Sequence, residues 1–248
     1  MYQRKKVPES QKSLPPWGSL WYPSGVEGMR GRLFVMTGAS GVGKGTVRAK
    51  VLERTRLFYS ISMTTRPPRP GERHGVDYYF VDRPTFEALL EEEGFLEHAE
   101  YVGHLYGTPK APVERALERG EDVLLEIEVQ GALQVKGKIP EAVLIFLLPP
   151  SLSELKKRLV FRGTDGPEKI ARRLEQAEWE IRNAHLFDYV VVNDVLEEAV
   201  ADFLAIITAE RRRRERMEEA LRKALERDEV LERDLDEILR RNYGGTGH

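Results

Sequence analysis

The stretch Leu33-Phe34-Val35-Met36-Thr37-Gly38-Ala39-Ser40-Gly41-Val42-Gly43-Lys44-Gly45-Thr46 decides the fold of this chain. An apolar run enters a glycine-rich loop, and a helical pattern follows directly. The glycines let the backbone wrap around an anion with its N–H groups turned inward, at the positive end of a helix dipole. Lys44 adds a full charge aimed at the β- and γ-phosphates of a nucleotide. The GxxxxGK spacing and the strand–loop–helix setting occur together, which a glycine-rich turn with an exposed lysine does not explain. A nucleotide site built from Gly38 to Thr46 is the expectation.

Working outward, three more apolar runs read as strands: Val123 to Val129, Ala142 to Leu148, and Tyr189 to Val192, with a helix from about Val195. Near-continuous aliphatic strands separated by helices indicate an α/β fold with a parallel sheet covered on both faces. At 248 residues the chain is long enough for one or two domains with a full core. A charge balance of −2 gives no overall excess of positive charge for nucleic acid. The absence of cysteine excludes disulfides, thiolate metal sites and a cysteine nucleophile. The histidines lack HxxxH or HExxH spacing. The longest apolar run is far short of the roughly 20 residues a membrane helix needs, and the basic start (Arg4, Lys5, Lys6) has no apolar stretch after it to make a secretory signal. A soluble, cytoplasmic protein with no nucleic-acid or membrane partner is expected.

The ends differ from the middle. Residues 1–30 are rich in Pro, Gly and Ser and read as a flexible arm, unless translation begins at Met29. Residues 211–248 are mostly charged. Met217, Leu221, Ala224, Asp228, Leu231, Leu235 and Ile238 recur there at 4-3 spacing, broken only by Asp228. This predicts one long exposed helix or two shorter ones. They would pack on the protein's own core or pair between subunits, so a monomer and a homodimer both remain open. Arg211 to Arg214 could attract phosphates, but Glu210 and Glu215 flank them and a solvated helix face fits better.

The segment from Ser62 to Phe80 carries Arg66 and Arg69 on a proline-stiffened frame, with Glu72 placed to orient an arginine and Tyr78 supplying a hydroxyl. Guanidinium forks grip phosphate in pairs, and rigidity lowers the ordering cost. Further on, Ser151 is a candidate N-cap for a helix in which Arg158 and Arg162 share a face. Arg172 and Arg173 start a second helical run after Gly163-Thr164-Asp165-Gly166-Pro167. Two arginine-bearing helices around a short loop suit a lid over phosphates. Phe161 and Trp179 read as packing residues.

Several motifs in register then make the chain similar to guanylate kinases, over about Gly31 to Glu210. They are the phosphate loop, the SxxTRxPRxGExxGxxY pattern from Ser62 to Tyr78, Glu97 with Tyr106-Gly107-Thr108, and Glu128-Val129-Gln130-Gly131. Arg162-Gly163-Thr164-Asp165 and Val192-Asn193-Asp194 complete the series. The resemblance implies a P-loop nucleoside monophosphate kinase fold. Its GMP-binding part would span about residues 62–120 and its lid about residues 155–175. The implied activity is phosphoryl transfer from ATP to GMP, and to dGMP, giving ADP and GDP, in purine nucleotide metabolism and GMP recycling.

By the same resemblance, Arg66, Arg69, Tyr78 and Tyr106 hold the GMP phosphate, with Glu72 beside them. Glu97 accepts hydrogen bonds from guanine N1–H and the 2-amino group, and Ser62 and Thr108 complete the base edge. Adenine lacks an N1 hydrogen, and a site built around such a donor rejects its absence strongly. Glu126 and Glu128 are acidic positions beside the site, read as one face of a strand. The family usually has Asp where this chain has Glu128. Arg162 and Arg173 touch the transferring phosphates together with Lys44, Arg158 lies near ATP, and Asn193 meets adenine. Gly45 stands where P-loops usually carry the Ser or Thr that meets Mg²⁺; the GKGT ending is similar to that of adenylate kinases. Mg²⁺ is therefore expected on nucleotide oxygens and water, with no direct protein ligand. Neither chain end is called for by this chemistry, so both are expected to be dispensable for turnover.

Overall fold

The computed structural model describes residues 29–101, 103–161, 166–226 and 229–243. The N-terminal arm up to residue 28, Arg162 to Asp165, Asp228 and the Gly244-Gly245 end lie outside the described residues.

A five-stranded, all-parallel sheet forms the body. Its strands are β1 (Leu33–Gly38), β2 (Phe58–Tyr59), β7 (Val123–Glu126), β8 (Val143–Leu148) and β9 (Tyr189–Val192), in the order β2-β7-β1-β8-β9. The first strand is central and wholly buried. Its side chains alternate between the two faces, as strand geometry requires. Phe34 and Met36 join a cluster with Val47, Val51, Leu155, Phe203 and Ile207. Leu33 and Val35 join the opposite one with Val113, Leu117, Ala132 and Val135. Full burial of each such aliphatic or aromatic side chain contributes about 1.5–3 kcal/mol, so both faces need helical cover. It comes from α1 (Lys44–Arg54) and α7 (Leu196–Arg211) on one side, and from α3 (Lys110–Glu118) and α4 (Val129–Lys138) on the other.

The expected α/β parallel sheet is present, and the strand expected from Tyr189 to Val192 has those bounds. One strand is shorter than its apolar run suggested. Residues 123–129 read as a single strand, yet β7 stops at Glu126 and α4 begins at Val129 with Glu128 in the N-cap position. Val129, Ala132 and Val135 repeat at three-residue intervals, and burying that face as a helix overrides the alternation of Ile127 and Val129. Glu126 and Glu128 therefore do not share a strand face.

A second sheet carries the other half of the site. It has four strands, β3 (Met63–Thr64), β4 (Tyr79–Phe80), β5 (Phe95–Tyr101) and β6 (His104–Pro109), in the order β4-β3-β6-β5. The helix α2 (Arg83–Glu91) packs on it, with Phe86 stacked on Phe95 at 4.3 Å between ring centroids. Asp82 caps this helix by accepting from Thr85 N–H, and Pro84 occupies the first turn where its missing donor costs nothing.

The two arginine-bearing helices expected to form a lid are α5 (Leu152–Phe161) and α6 (Pro167–Arg182). Ser151 caps α5 as expected, its Oγ accepting from Glu154 N–H at 3.0 Å. Phe161 is 91% exposed, and Trp179 is also exposed, so neither serves the packing role read for it. The charged C-terminal segment forms two shorter helices, α8 (Glu218–Leu225) and α9 (Glu229–Tyr243), preceded by a single 3₁₀ turn at Arg214–Arg216.

Candidate active site

The phosphate loop leaves the carboxyl end of the central strand, where open parallel sheets place their ligands. Gly41 and Gly43 hold φ of 95° and 100°, which glycine alone adopts without strain. Gly43 is the N-cap of α1 and has no side chain to close the helix end, so no side-chain cap competes with an anion for the first N–H groups. A Cβ on Gly38 would sit 2.4 Å from the Leu147 carbonyl oxygen, so glycine is what allows the loop to start so close to β8. Lys44 donates from Nζ to the Gly38 carbonyl at 2.6 Å and lies 3.8 Å from Glu128 Oε1. At Gly45 nothing stands within 4 Å of where a Cβ would be. Thr46 follows in the first turn, its N–H donating to Gly43 O.

The loop is braced from behind. Asn193, buried at the end of β9, donates from Nδ2 to the Val42 carbonyl at 2.7 Å, and Arg158 on α5 donates to the Asn193 carbonyl at 2.9 Å. From α6, Arg173 donates from Nε and Nη2 to Ser40 Oγ at 3.1 and 3.0 Å. The structure thus brings Lys44, Arg158, Arg173 and Asn193 to one loop. Arg162 cannot be placed beside them, because it lies outside the described residues.

Glu180 belongs to this site, although its sequence context marks it only as one charge on an amphipathic helix. Its carboxylate accepts from Ser40 N–H at 3.0 Å and from Gln176 at 3.3 Å, and the residue is only 1% exposed. Burial, with a smaller push from Glu128, raises its pKa to about 7 against the pull of Lys44 and the Ser40 hydrogen bond.

Across the cleft, Arg66 bonds Glu72 Oε1 at 3.0 Å, and Glu72 Oε2 accepts from Arg69 N–H at 2.7 Å. One carboxylate so fixes the proline-rich turn, and the Arg66 guanidinium holds that carboxyl below its usual range. Arg66 also lies over the rings of Tyr78 and Phe80, and its Nε is buried with no protein partner among the described residues. The Tyr78 and Tyr106 rings meet edge to face at 6.1 Å. Burial and the neighbouring Tyr59, Tyr106 and Glu126 push the Tyr78 hydroxyl up to about 12, so it remains a donor at neutral pH. A cleft of about 130 Å³ opens here, lined in part by Ser62, Glu72, Tyr78 and Glu126.

Glu97 occupies a separate recess. It pairs with Thr108 across β5 and β6, and accepts a 2.7 Å hydrogen bond from Thr108 Oγ1. The residue is buried, and burial raises its pKa against the Thr108 hydrogen bond and the Lys138 charge. Gly131 explains the Glu128-Val129-Gln130-Gly131 motif. A Cβ there would lie 2.6 Å from Glu97 Oε2, so α4 passes the recess only because that position is glycine. Glu126 bonds Arg48, whereas Glu128 is 69% exposed and faces Lys44, so the two carboxylates serve different ends of the site.

A phosphate loop at the end of a central parallel strand, a helix whose Arg173 reaches it and a polar cleft beside a second small sheet are the features of a P-loop kinase. The family model for guanylate kinase matches residues 30–210. A guanylate kinase of Thermus thermophilus is 86% identical over 223 residues, covering 90% of this chain and 100% of that protein. One of Deinococcus radiodurans is 57% identical over 183 residues, covering 73% and 77%. The crystal structure of guanylate kinase from Anaplasma phagocytophilum aligns with a TM-score of 0.63 at 35% identity, over 75% of this chain and 88% of that one. The chain belongs to the guanylate kinase family. It is therefore an enzyme, a nucleotide-binding phosphotransferase. No helix among the described residues is long and apolar enough to cross a membrane.

Proposed function

We propose that this enzyme transfers the γ-phosphoryl group of ATP to GMP, and to dGMP, forming ADP and GDP for purine nucleotide metabolism in the cytoplasm. The observation that carries this reading is the buried Glu97 carboxylate, held by Thr108 on the same small sheet that carries the Arg66–Glu72 turn. It matches a base edge that offers two donors, as guanine does with N1–H and its 2-amino group. Adenine would present a lone pair there, and a buried carboxylate left unpaired discriminates by about 10⁴-fold or more.

On the donor side, the backbone from Gly38 to Thr46 and Lys44 take the ATP phosphates, with Arg158 and Asn193 bracing the loop near the adenine. On the acceptor side, Arg66, Arg69, Tyr78 and Tyr106 hold the GMP phosphate, Glu72 orients the arginines, and Ser62 and Thr108 complete the base contacts. The acceptor oxygen is already anionic, so no strong general base is needed; alignment and charge neutralisation lower the barrier. Lys44, Arg162 and Arg173 supply that neutralisation. Arg173 already reaches the phosphate loop through Ser40, which supports its share. Mg²⁺ would add charge neutralisation when bound with ATP. Gly45 offers no hydroxyl where P-loops usually carry one, which suits an ion held by nucleotide oxygens and water. Glu126 and Glu128 stand within the site as outer oxygen partners.

The test is a coupled ADP-release assay with ATP·Mg²⁺ and GMP, AMP, CMP or UMP, using Lys44→Ala as the blank. GMP-dependent turnover that vanishes in the variant is expected. Equal turnover with AMP, or GMP binding without turnover, would overturn the reading.

A further inference from the structure

Arg48 has no role in any motif, yet it stands inside the acceptor cleft. It follows Lys44 by four residues on α1, so the two cations share one helix face. Lys44 serves the phosphate loop at the start of the helix. One turn further, roughly 6 Å along the axis at 1.5 Å per residue, Arg48 lines the cleft with Ser62, Glu72, Tyr78 and Glu126.

Its guanidinium is oriented rather than free to roam. Nη1 donates to Tyr59 Oη at 2.7 Å and to Glu126 Oε2 at 2.9 Å, and the group lies 4.7 Å above the Tyr59 ring. Both of those partners belong to the body, on β2 and β7. They leave the remaining N–H donors of a five-donor fork without a protein partner among the described residues. The arginines expected to hold the acceptor phosphate, Arg66 and Arg69, belong to the proline-rich turn beside the small sheet and are tied to the cleft through Glu72, which lines it. Around Arg48 stand three carboxylates, those of Glu72, Asp77 and Glu126. An anion entering this cleft needs a cation on the body side, and among the residues lining the cleft Arg48 is the one cation.

We propose that Arg48 binds the phosphate of the acceptor nucleotide from the body side, in addition to Arg66 and Arg69, with Tyr59 and Glu126 fixing its orientation. The proposal rests on the GMP reading above. It adds a binding residue on the phosphate-loop helix itself, one turn from the lysine that serves the donor. The acceptor phosphate is then gripped between two parts of the molecule, and the body-side grip is registered on the same helix as the donor site.

Comparing GMP with guanosine isolates the phosphate. Binding of each is measured by titration calorimetry to the full-length wild type, Arg48→Ala, Arg48→Lys and Arg48→Met. Loss of a charge-assisted hydrogen bond is expected to weaken GMP binding by about 10-fold or more in the Ala and Met variants. Guanosine binding should not change. Arg48→Lys keeps the charge but loses the fork, so it should recover part of the difference. Added guanidinium chloride should partly restore GMP binding to Arg48→Ala, which a purely structural role would not produce. If Arg48→Ala does not fold, Arg48→Met keeps an unbranched aliphatic side chain without the charge and carries the test. Equal loss for GMP and guanosine, or no loss for either, would overturn the proposal. A wild type that binds no GMP would instead overturn the GMP reading.

Discussion

The two ends of the central sheet each bury a carboxylate, and they treat it in opposite ways. At the carboxyl ends of the strands, Glu180 has Ser40 N–H and Gln176 as hydrogen-bond partners, and burial leaves its pKa near 7. At the amino ends, Glu210 on α7 is bonded by Arg32 at 2.5 Å, by Tyr189 Oη at 2.6 Å and by Arg213 at 2.8 Å. Burial opposes its ionisation, but those partners more than offset the cost and hold its pKa below the usual range. Asp122 beside it takes Arg211 and the Arg32 backbone N–H. One end keeps its charges unsaturated where anions are to be bound. The other end saturates them and fastens the chain. An enzyme needs the first arrangement for chemistry and the second to hold the sheet on which the chemistry stands.

The sharpest way to break this division is to remove one cation or one carboxylate at each end. Lys44→Ala should lower turnover by roughly 10³-fold, since about 4 kcal/mol of charge stabilisation acts in the transition state. Its unfolding free energy should change little, because Lys44 hydrogen-bonds only the Gly38 carbonyl and its ion-pair partner Glu128 is largely exposed. Glu210→Ala should do the reverse. Breaking a buried ion pair leaves Arg32 and Arg213 without their partner and costs about 3–5 kcal/mol. Denaturant unfolding should register that loss while turnover at low temperature is kept.

The next effect depends on pH. Because its folded pKa lies near 7 and above its ordinary 4.5, Glu180 binds a proton more tightly in the native state than in the unfolded chain. Its contribution to stability is fully present below about pH 4.5 and is lost as the pH rises through 7. Glu180→Gln lacks this titration. Its stability relative to wild type should rise by up to about 3 kcal/mol between pH 4.5 and 8, read from unfolding curves. A difference that stays flat with pH would show that Glu180 is as saturated as Glu210.

Two smaller effects refine the comparison. Gly131→Ala puts a methyl group against the Glu97 carboxylate, and should raise the KM for GMP by about 10-fold through a shift of a guanine-facing hydrogen bond. Its KM for ATP should not move. Truncation should separate the clamp from the tail. The expectation that residues beyond 210 are dispensable concerns turnover; stability is a separate matter, since Arg211, Arg213 and Arg216 bond Asp122, Glu210 and the Arg30 carbonyl. A chain ending at Arg216 should keep wild-type turnover and stability. A chain ending at Glu210 should keep turnover but unfold at a lower temperature.

How much of this was legible beforehand follows from how local each signal is. The phosphate loop is contiguous, and its glycines and Lys44 carry their geometry in their spacing. The same holds for Arg66, Arg69 and Glu72, which bond one another within a single turn. Glu97 and Thr108 are eleven residues apart on a hairpin, and the family pattern marks them. Glu180 reaches Ser40 across 140 residues and Arg48 reaches Glu126 across 78, so no spacing reveals either pair. Gly131 makes room for a side chain on another sheet, a reason no helical pattern contains. The short β2, β3 and β4 escape a sequence reading because strands of two residues carry no period, and β5 and β6 because their charged and polar residues leave no apolar run. The strand read through Glu128 failed because two readings competed over Ile127 and Val129, and helix burial won.

The central claim is that Glu97 reads the base by its two donors, and the most direct measurement is kcat/KM for GMP, IMP and AMP under one set of conditions. IMP keeps the N1–H but lacks the 2-amino group, so it should fall roughly 10- to 100-fold below GMP through the loss of one hydrogen bond to a charged acceptor. AMP lacks both donors and should fall by about 10⁴-fold or more. A graded series in that order is what the recess predicts. IMP as poor as AMP, or AMP as good as GMP, would contradict it.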